Sequence, residues 1–241
     1  MVVLATKCYV DGDARDRAMD SLTSQVANSL GDLDVDADVG LRDDDFPTVT
    51  VSGPDETVAR NVLAEEWGEI TPQTRPGEVA VGTLDSWDDA GFVLDAGFGN
   101  YVRIPADEIG LGQGTPDQIR TRFGLVQHLP LRYVAGEGGV ETDETSGVAD
   151  RRSGDPSRLA DDERDRLYDW TRGEGRVNVN SATRSEVRAT VNRAGHAEDI
   201  VTVERLGLLE QSIVCREGTD PPGLLASIGE FLPAEWLCVV P

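Results

Sequence analysis

The sequence predicts an α+β protein built from three modules. Three observations support this. Strand and helix patterns follow the order β-α-β-β-α over residues 1–74, short glycine-rich strands begin at residue 78, and the order β-α-β-β-α-β follows residue 177. The predicted domains are an N-terminal α+β module, a small central barrel, a linker, and a helix followed by a second α+β module, at residues 1–74, 75–136, 137–155 and 156–241.

The first module begins with an apolar segment at residues 2–10 that is typical of a strand. Residues 13–30 repeat apolar side chains every four positions, which predicts one buried helix face. Strict alternation predicts a strand over 46–52, and a proline and a glycine bound a second helix over 54–68. With a weaker strand at 35–41, this order makes most of a split βαβ unit, with its helices on one face.

The central module is predicted from short β-branched or aromatic segments separated by turn residues, as in a small barrel. These segments are residues 78–84, 91–96, 100–104 and 127–134. A helix interrupts them. Thr115 is its predicted N-cap, Pro116 its first residue, and Gln118 the reciprocal partner of a capping box.

The linker at 137–155 lacks apolar periodicity, and a polar helix follows it and extends to Trp170. The last module then begins with a strand at residue 177. Its first helix carries Thr183 and Glu186 at capping-box spacing, and its second helix is entered through Asp220. The order β-α-β-β-α-β predicts a ferredoxin-like module.

The charge balance is strongly acidic, with 45 acids against 22 bases and a net charge of −23. Two interpretations remain open: a chain that binds basic partners or mimics nucleic acid, and a halophilic chain that stays hydrated in a cytoplasm with molar salt. The acids are spread over every segment, which favours the halophilic interpretation. Since salt screens surface charge, the net charge does not exclude an anionic partner.

Composition and motifs argue against several classes of protein. The three cysteines lie in apolar runs without metal-ligand spacing, as expected for reduced thiols in a cytoplasm. No segment approaches the ~20 apolar residues of a membrane span, and the N-terminal apolar run is too short for a signal peptide. His196 is expected to end a helix. No nucleotide-binding loop, serine elbow or zinc motif occurs, so we predict no catalytic residue, metal or cofactor.

The glycine-rich strands resemble the S1 domain, an OB-type RNA-binding barrel. The residues that carry the resemblance are Gly77, Gly82, Gly91, Asp95 and Gly97, followed by "RIPADEIG". Ala90 and Val93 occupy the positions where the S1 pattern has aromatic rings. The resemblance therefore implies an RNA-binding barrel in which Phe92, Phe98 and Tyr101 replace those rings as base-stacking platforms.

The whole chain resembles an archaeal protein family classed as domain of unknown function 2110. The resemblance rests on the stretches "GTLDSWDDAGFVLDAGFG", "GTPDQIRTRFGLVQHLPLR" and "AGHAEDIVTVERLGLLEQSIVCREGTDPPGLLASIGEFLP". It implies a cytoplasmic archaeal protein, agrees with the halophilic composition and supplies no reaction.

A local excess of positive charge predicts the binding site. Residues 120–132 contain three arginines and a histidine but no acid. Arginines beside aromatic rings can hold phosphates while the rings stack on bases. The alternative is that these arginines form surface ion pairs with nearby acids. The predicted nucleic-acid-binding residues are Phe92, Phe98, Tyr101, Arg103, Arg120, Arg122, His128 and Arg132.

The sequence therefore predicts a non-catalytic RNA-binding factor in the cytoplasm, associated with translation or ribosomes. The first alternative is a protein-binding adaptor of the transcription machinery. The second is an enzyme of unrecognised type. A basic strip with exposed rings would favour RNA, an exposed apolar patch would favour a protein partner, and a deep pocket lined with perturbed acids would favour an enzyme.

Overall fold

The computed structural model describes residues 1–137 and 154–241. This part of the chain is a mixed α+β fold with six α-helices and three antiparallel sheets. Residues 138–153, which make up most of the predicted linker, lie outside the described residues.

The N-terminal module is a three-stranded sheet covered by two helices. Its elements are β1 (Val2–Val3), α1 (Gly12–Ser29), β2 (Asp36–Leu41), β3 (Pro47–Ser52) and α2 (Glu56–Trp67). The strands lie in the order β1-β3-β2. The helices contribute a buried stripe of Ala18, Leu22, Val26, Ala59, Leu63 and Trp67.

The first strand is shorter than the predicted 2–10. After Val3 the chain makes a single antiparallel bridge between Leu4 and Glu69, and it then leaves the sheet. The polar groups that follow are bonded outside the strands of this sheet. Lys7 pairs with Asp95 of the central module at 2.8 Å, and the backbone N–H of Cys8 donates to the Asp45 carbonyl at 2.8 Å.

The central module is a five-stranded sheet that curls into a half-barrel. Its elements are β4 (Val79–Asp88), β5 (Gly91–Asp95), β6 (Tyr101–Pro105), α3 (Pro116–Phe123), β7 (Pro130–Val134), β8 (Arg158–Leu159) and α4 (Asp161–Trp170). The strand order is β6-β5-β4-β7-β8, and a short 3-10 helix (Ala106–Glu108) follows β6. Leu84, Leu94 and Ile104 fill the interior at 0% exposure.

Two local features of the central module are notable. The predicted capping box at Thr115 is present: its hydroxyl accepts from the Gln118 N–H, and the Gln118 side chain accepts from the Thr115 N–H. The polar helix before Trp170, which the sequence grouped with the C-terminal module, packs here instead. Leu167 and Trp170 of α4 join the same core as Leu159 of β8.

The C-terminal module is a four-stranded sheet with two helices. Its elements are β9 (Arg176–Val179), α5 (Arg184–Arg193), β10 (Ile200–Arg205), β11 (Gln211–Cys215), α6 (Pro221–Ile228) and β12 (Trp236–Val239). A 3-10 helix (Gly229–Phe231) follows α6, and the strand order is β10-β11-β9-β12. The predicted Thr183–Glu186 capping box is present, and the Asp220 side chain caps α6 by accepting from the Gly223 N–H.

The three modules are joined by buried contacts. Leu208 and Leu209, in the turn between β10 and β11, belong to the N-terminal core, and the Leu208 N–H donates to Thr6 Oγ1 at 2.7 Å. On the other side, Asn178 Nδ2 donates to the carbonyl of Gly124 at 2.8 Å. Gly124 ends α3 with φ of 64°, and a Cβ there would lie 2.6 Å from Val239, so only glycine fits this contact.

Candidate functional site

Arg120, the first residue of the predicted positive region, points into the protein. It is 8% exposed. Its guanidinium pairs with Glu235 at 2.6 Å, donates to the Leu125 carbonyl at 3.2 Å and lies 3.8 Å from the centre of the Trp87 ring. Because these groups use its charge and its stacking face, Arg120 cannot serve as the predicted phosphate contact in this conformation.

The other three predicted arginines are also engaged within the chain. Arg122 is exposed, but it donates to the carbonyls of Leu111 and Gln113 at 2.8 and 3.0 Å and so fastens the glycine-rich loop before α3. Arg132 pairs with two acids of α4, Asp162 and Glu163. Arg103 pairs with Asp88 at 2.9 Å. Arg103, Arg120 and Arg132 therefore form ion pairs within the protein, but of the acids near them in sequence that the structure describes only Asp117 takes part, at 3.7 Å from Arg120.

The predicted aromatic platforms differ in exposure. Phe92 is 0% exposed in the half-barrel core, so it cannot stack on a base in this conformation, and that prediction is corrected. Tyr101 is half-buried. Phe98 is half-buried with φ of 56°, and the Arg42 guanidinium lies 3.9 Å from its ring centre. A surface depression beside Phe98 is lined by Arg42, Asp43 and Asp44, which is not a phosphate-binding composition.

His128 belongs to the contact between modules. Its ring lies 3.9 Å from that of Tyr9, centre to centre. Burial, together with the nearby charge of Lys7, lowers the pKa of His128 to about 4. The imidazole is therefore neutral near pH 7 and is not the predicted cation for a phosphate.

A buried carboxyl group lies at the same junction. Glu210 is 0% exposed, and it accepts a hydrogen bond of 2.7 Å from the Tyr9 hydroxyl. That hydroxyl in turn accepts from the Ser181 N–H at 2.9 Å. Burial raises the pKa of Glu210 to about 8. Gly207 makes room for this group, since a Cβ at Gly207 would lie 2.1 Å from Glu210 Oε2.

Several residues near these contacts have an unusual backbone conformation. Asp45, Phe98, His128 and Ser181 are non-glycine residues in the left-handed region, with φ between 56° and 66°. Their backbones are held by bonds across the fold: for example, the Asp45 carbonyl accepts from Cys8, and the Ser181 N–H donates to Tyr9. Such conformations persist where the surroundings over-determine them, and here hydrogen bonds from segments distant in sequence hold them.

Unengaged positive charge lies elsewhere, on helix α5. In the described part of the chain, the arginines with no carboxylate at ion-pair distance are Arg122, Arg184, Arg188, Arg193 and Arg216. Arg184, Arg188 and Arg193 are exposed on α5, and we call this set the basic face; Arg184 and Arg188 lie about 40° apart around the helix axis, whereas Arg193 lies about 140° beyond Arg188. The helix buries Val187, Thr190 and Val191 against its sheet, so the arginines lie on its solvent side.

The acid of α5 does not neutralise this face. Glu186 accepts from Thr183 in the capping box and pairs with Arg17 of α1 at 3.1 Å. These bonds lower the pKa of Glu186 even though its partial burial opposes them. A local excess of arginine over acid marks this face in the sequence, as it does at 120–132. Residues 176–197 hold four arginines and only one acid.

Metal and membrane sites can be assessed over the residues that the structure describes. Within 1–137 and 154–241, no group of three or more His, Cys, Asp or Glu side chains is arranged to hold a metal ion. No helix among those residues is long and apolar enough to cross a membrane.

Comparison with known proteins gives three consecutive family matches. Residues 1–73 match the DUF2110 N-terminal domain, residues 74–171 the DUF2110 central domain, and residues 174–240 the DUF2110 C-terminal domain. The central match extends through α4, the helix that packs on the half-barrel. No curated protein matches the chain.

Proposed function

Because the chain belongs to the DUF2110 family over all three of its domains, we propose one function for the three modules together: an RNA-binding factor whose C-terminal module contacts phosphates through the basic face of α5. The observation that carries this proposal is that Arg184, Arg188 and Arg193 are exposed and have no carboxylate at ion-pair distance within residues 1–137 and 154–241, in a chain of net charge −23. Charges left unpaired in such an acidic chain are available to an anionic ligand.

The chemistry of the basic face favours phosphates. Guanidinium groups bind phosphate oxygens in a bidentate manner and stay charged at every physiological pH. Arg184 and Arg188 are four positions apart, about 6 Å along the helix axis, so they can contact successive groups of one strand. Ser185 and Asn192 are exposed on the same helix and add neutral hydrogen-bonding groups.

We also propose a finer description of the fold and its setting. In the C-terminal module, the strand order β10-β11-β9-β12 with α5 and α6 as the two connecting helices supports a ferredoxin-like fold. In the N-terminal module, the Leu4–Glu69 bridge supports the same ferredoxin-like topology. The curled central sheet supports an S1/OB-like barrel. The dispersed acids support a halophilic archaeal protein of the cytoplasm. We also keep association with translation or ribosomes as part of the proposal.

Reversing the basic face should abolish most RNA binding. In the triple variant R184E/R188E/R193E, three phosphate contacts become repulsive. We expect affinity for a fluorescein-labelled single-stranded oligouridine to fall at least about tenfold at low salt, and the salt slope of log affinity to fall by about 0.7 per lost contact. Fluorescence anisotropy over a potassium chloride series measures both quantities.

The matched control is R60E/R75E/R172E, which makes the same charge change at exposed arginines outside α5. Loss of RNA binding in the α5 variant alone supports the proposal. Equal loss in both variants contradicts it, because bulk charge would then explain the binding. If the basic face retains a polypeptide from a high-salt cell extract but no RNA, the protein-binding adaptor replaces the RNA-binding factor.

A further inference from the structure

Three polar side chains of the C-terminal module form a continuous hydrogen-bonded chain. The Ser227 hydroxyl oxygen lies 2.7 Å from His196 Nε2, and His196 Nδ1 lies 2.6 Å from Asp199 Oδ2. A nucleophile bonded to a base, with the base oriented by a third group, is the arrangement that activates serine in acyl transfer. From the sequence, His196 was expected only to end a helix.

One loop and one helix supply the three groups. His196 and Asp199 lie in the loop that follows α5, where the His196 N–H donates to the Val191 carbonyl at 3.0 Å and the Asp199 N–H donates to the His196 carbonyl at 3.1 Å. The Asp199 carbonyl accepts from the Arg216 N–H at 2.9 Å and from Thr219 Oγ1 at 2.8 Å. Ser227 lies in the last turn of α6. These backbone and side-chain bonds tie the loop to α5 and to the segment after β11.

We propose that Ser227, His196 and Asp199 form an acyl-transfer site that hydrolyses unhindered carboxylic esters. Ser227 is the nucleophile, His196 the general base and then the general acid, and Asp199 a positioning residue that holds the imidazole through Nδ1. The Ser227 side chain is exposed on the module surface, so the site takes esters whose carbonyl is accessible without a deep pocket.

The reaction proceeds in two balanced steps. Ser227 Oγ attacks the ester carbonyl carbon while its proton moves to His196 Nε2. The carbon–oxygen bond to the alcohol breaks, and the alcohol leaves with that proton, which gives an acyl-serine. Water then adds to the acyl carbon and gives its proton to His196. The carbon–Oγ bond breaks, His196 returns that proton to Oγ, and the acid is released with Ser227 restored.

Two arginines adjoin the loop that carries His196 and Asp199. Arg193 ends α5 three positions before His196, the backbone N–H of Arg216 donates to the Asp199 carbonyl, and Arg216 Nε donates to the Ile200 carbonyl at 3.0 Å. Both side chains lack a carboxylate partner among the described residues. The Ser227 hydroxyl also lies 2.8 Å from the Leu224 carbonyl, the acceptor it uses whenever the imidazole is the donor to Oγ.

The test is covalent labelling of the full-length protein by an alkyl fluorophosphonate, located by mass spectrometry. We expect Ser227 to be labelled, and His196→Gln to slow that labelling at least tenfold. With p-nitrophenyl acetate, Ser227→Ala should abolish catalysed hydrolysis, whereas Asp199→Asn should lower kcat without changing KM, and Asp199→Glu should restore part of it. A purely structural Asp199 would not produce that pattern.

Ser185 provides the matched control, because it is an exposed serine of α5 that lies 3.1 Å from Thr183 Oγ1 and has no imidazole partner. Labelling of Ser185 at the rate of Ser227, equal labelling of the wild type and His196→Gln, or no labelling of Ser227 would each overturn the proposal. The Ser227→Ala variant should bind oligouridine normally, so this inference and the RNA-binding proposal fail or succeed separately.

Discussion

Replacing Arg120 with alanine is expected to lower the free energy of unfolding by roughly 2–4 kcal/mol, because removing one partner of a buried ion pair leaves the other charge without compensation. The side chains of Arg120 and Glu235 are 10% and 28% exposed. The substitution leaves the Glu235 carboxylate without its guanidinium and removes the cation that stacks on Trp87. Urea unfolding followed by circular dichroism measures the change.

Arg188→Ala is the control for this prediction. Arg188 is exposed on α5 and has no ion pair among the described residues, so its loss should change stability by no more than about 0.5 kcal/mol. If Arg120→Ala were as mild as Arg188→Ala, the Arg120–Glu235 contact between α3 and the start of β12 would not contribute to holding the modules together.

Stability should decrease as pH rises from about 6.5 to 8, and Glu210 should be the cause. Its pKa is about 8 in the folded protein, against an ordinary value of 4.5. The folded state therefore keeps a proton that the unfolded chain loses. The stabilisation is complete below pH 4.5 and is lost as pH rises through about 8, with a slope of up to about 1.4 kcal/mol per pH unit.

His128 contributes with the opposite sign. Its folded pKa is about 4, against an ordinary value of 6.5. The contribution of His128 to the stability of the folded state is complete above pH 6.5 and is lost as pH falls. The reason is that His128 becomes protonated in the unfolded chain at a higher pH than in the folded chain. The two slopes offset each other between about pH 4.5 and 6.5, which leaves Glu210 dominant above that range.

The variant Glu210→Gln keeps an acceptor for the Tyr9 hydroxyl and removes the titration. The difference in unfolding free energy between the wild type and Glu210→Gln should shift in favour of the variant at each step from pH 5 to 8. Glu198→Gln, at an exposed acid, should show no such trend. A pH-independent difference for Glu210→Gln would mean that Glu210 does not retain its proton in the folded state.

Much of the secondary structure was predictable because it depends on neighbouring residues. Thr115 and Thr183 cap their helices as predicted, since each capping box needs only residues three positions apart. The order of strands and helices followed from alternation and from glycine and proline positions. The strand predicted at 2–10 was too long: Lys7 pairs with Asp95 of the central module, and the Cys8 N–H donates to Asp45 just before β3, contacts that the apolar pattern of residues 2–10 does not reveal.

The binding residues were harder to predict because exposure and pairing depend on distant parts of the chain. Arg120 finds its carboxylate 115 positions away, at Glu235. Phe92 lies on a strand whose pairing with β4 shifts register between Leu84 and Ser86, and its ring is in the core. An acid-free stretch of sequence therefore identified arginines that the fold uses for its own stability.

The sequence by itself determined the α+β class, the family, the helix caps and the acidic surface, because these depend on composition and on contacts within a few residues. Only the tertiary structure decided which arginines stay unpaired, where α4 packs, and that Ser227 meets His196 across 31 positions. The physical reason is that a backbone hydrogen bond in a helix is satisfied locally, whereas a buried charge or a shared proton needs partners that only the packed fold brings together.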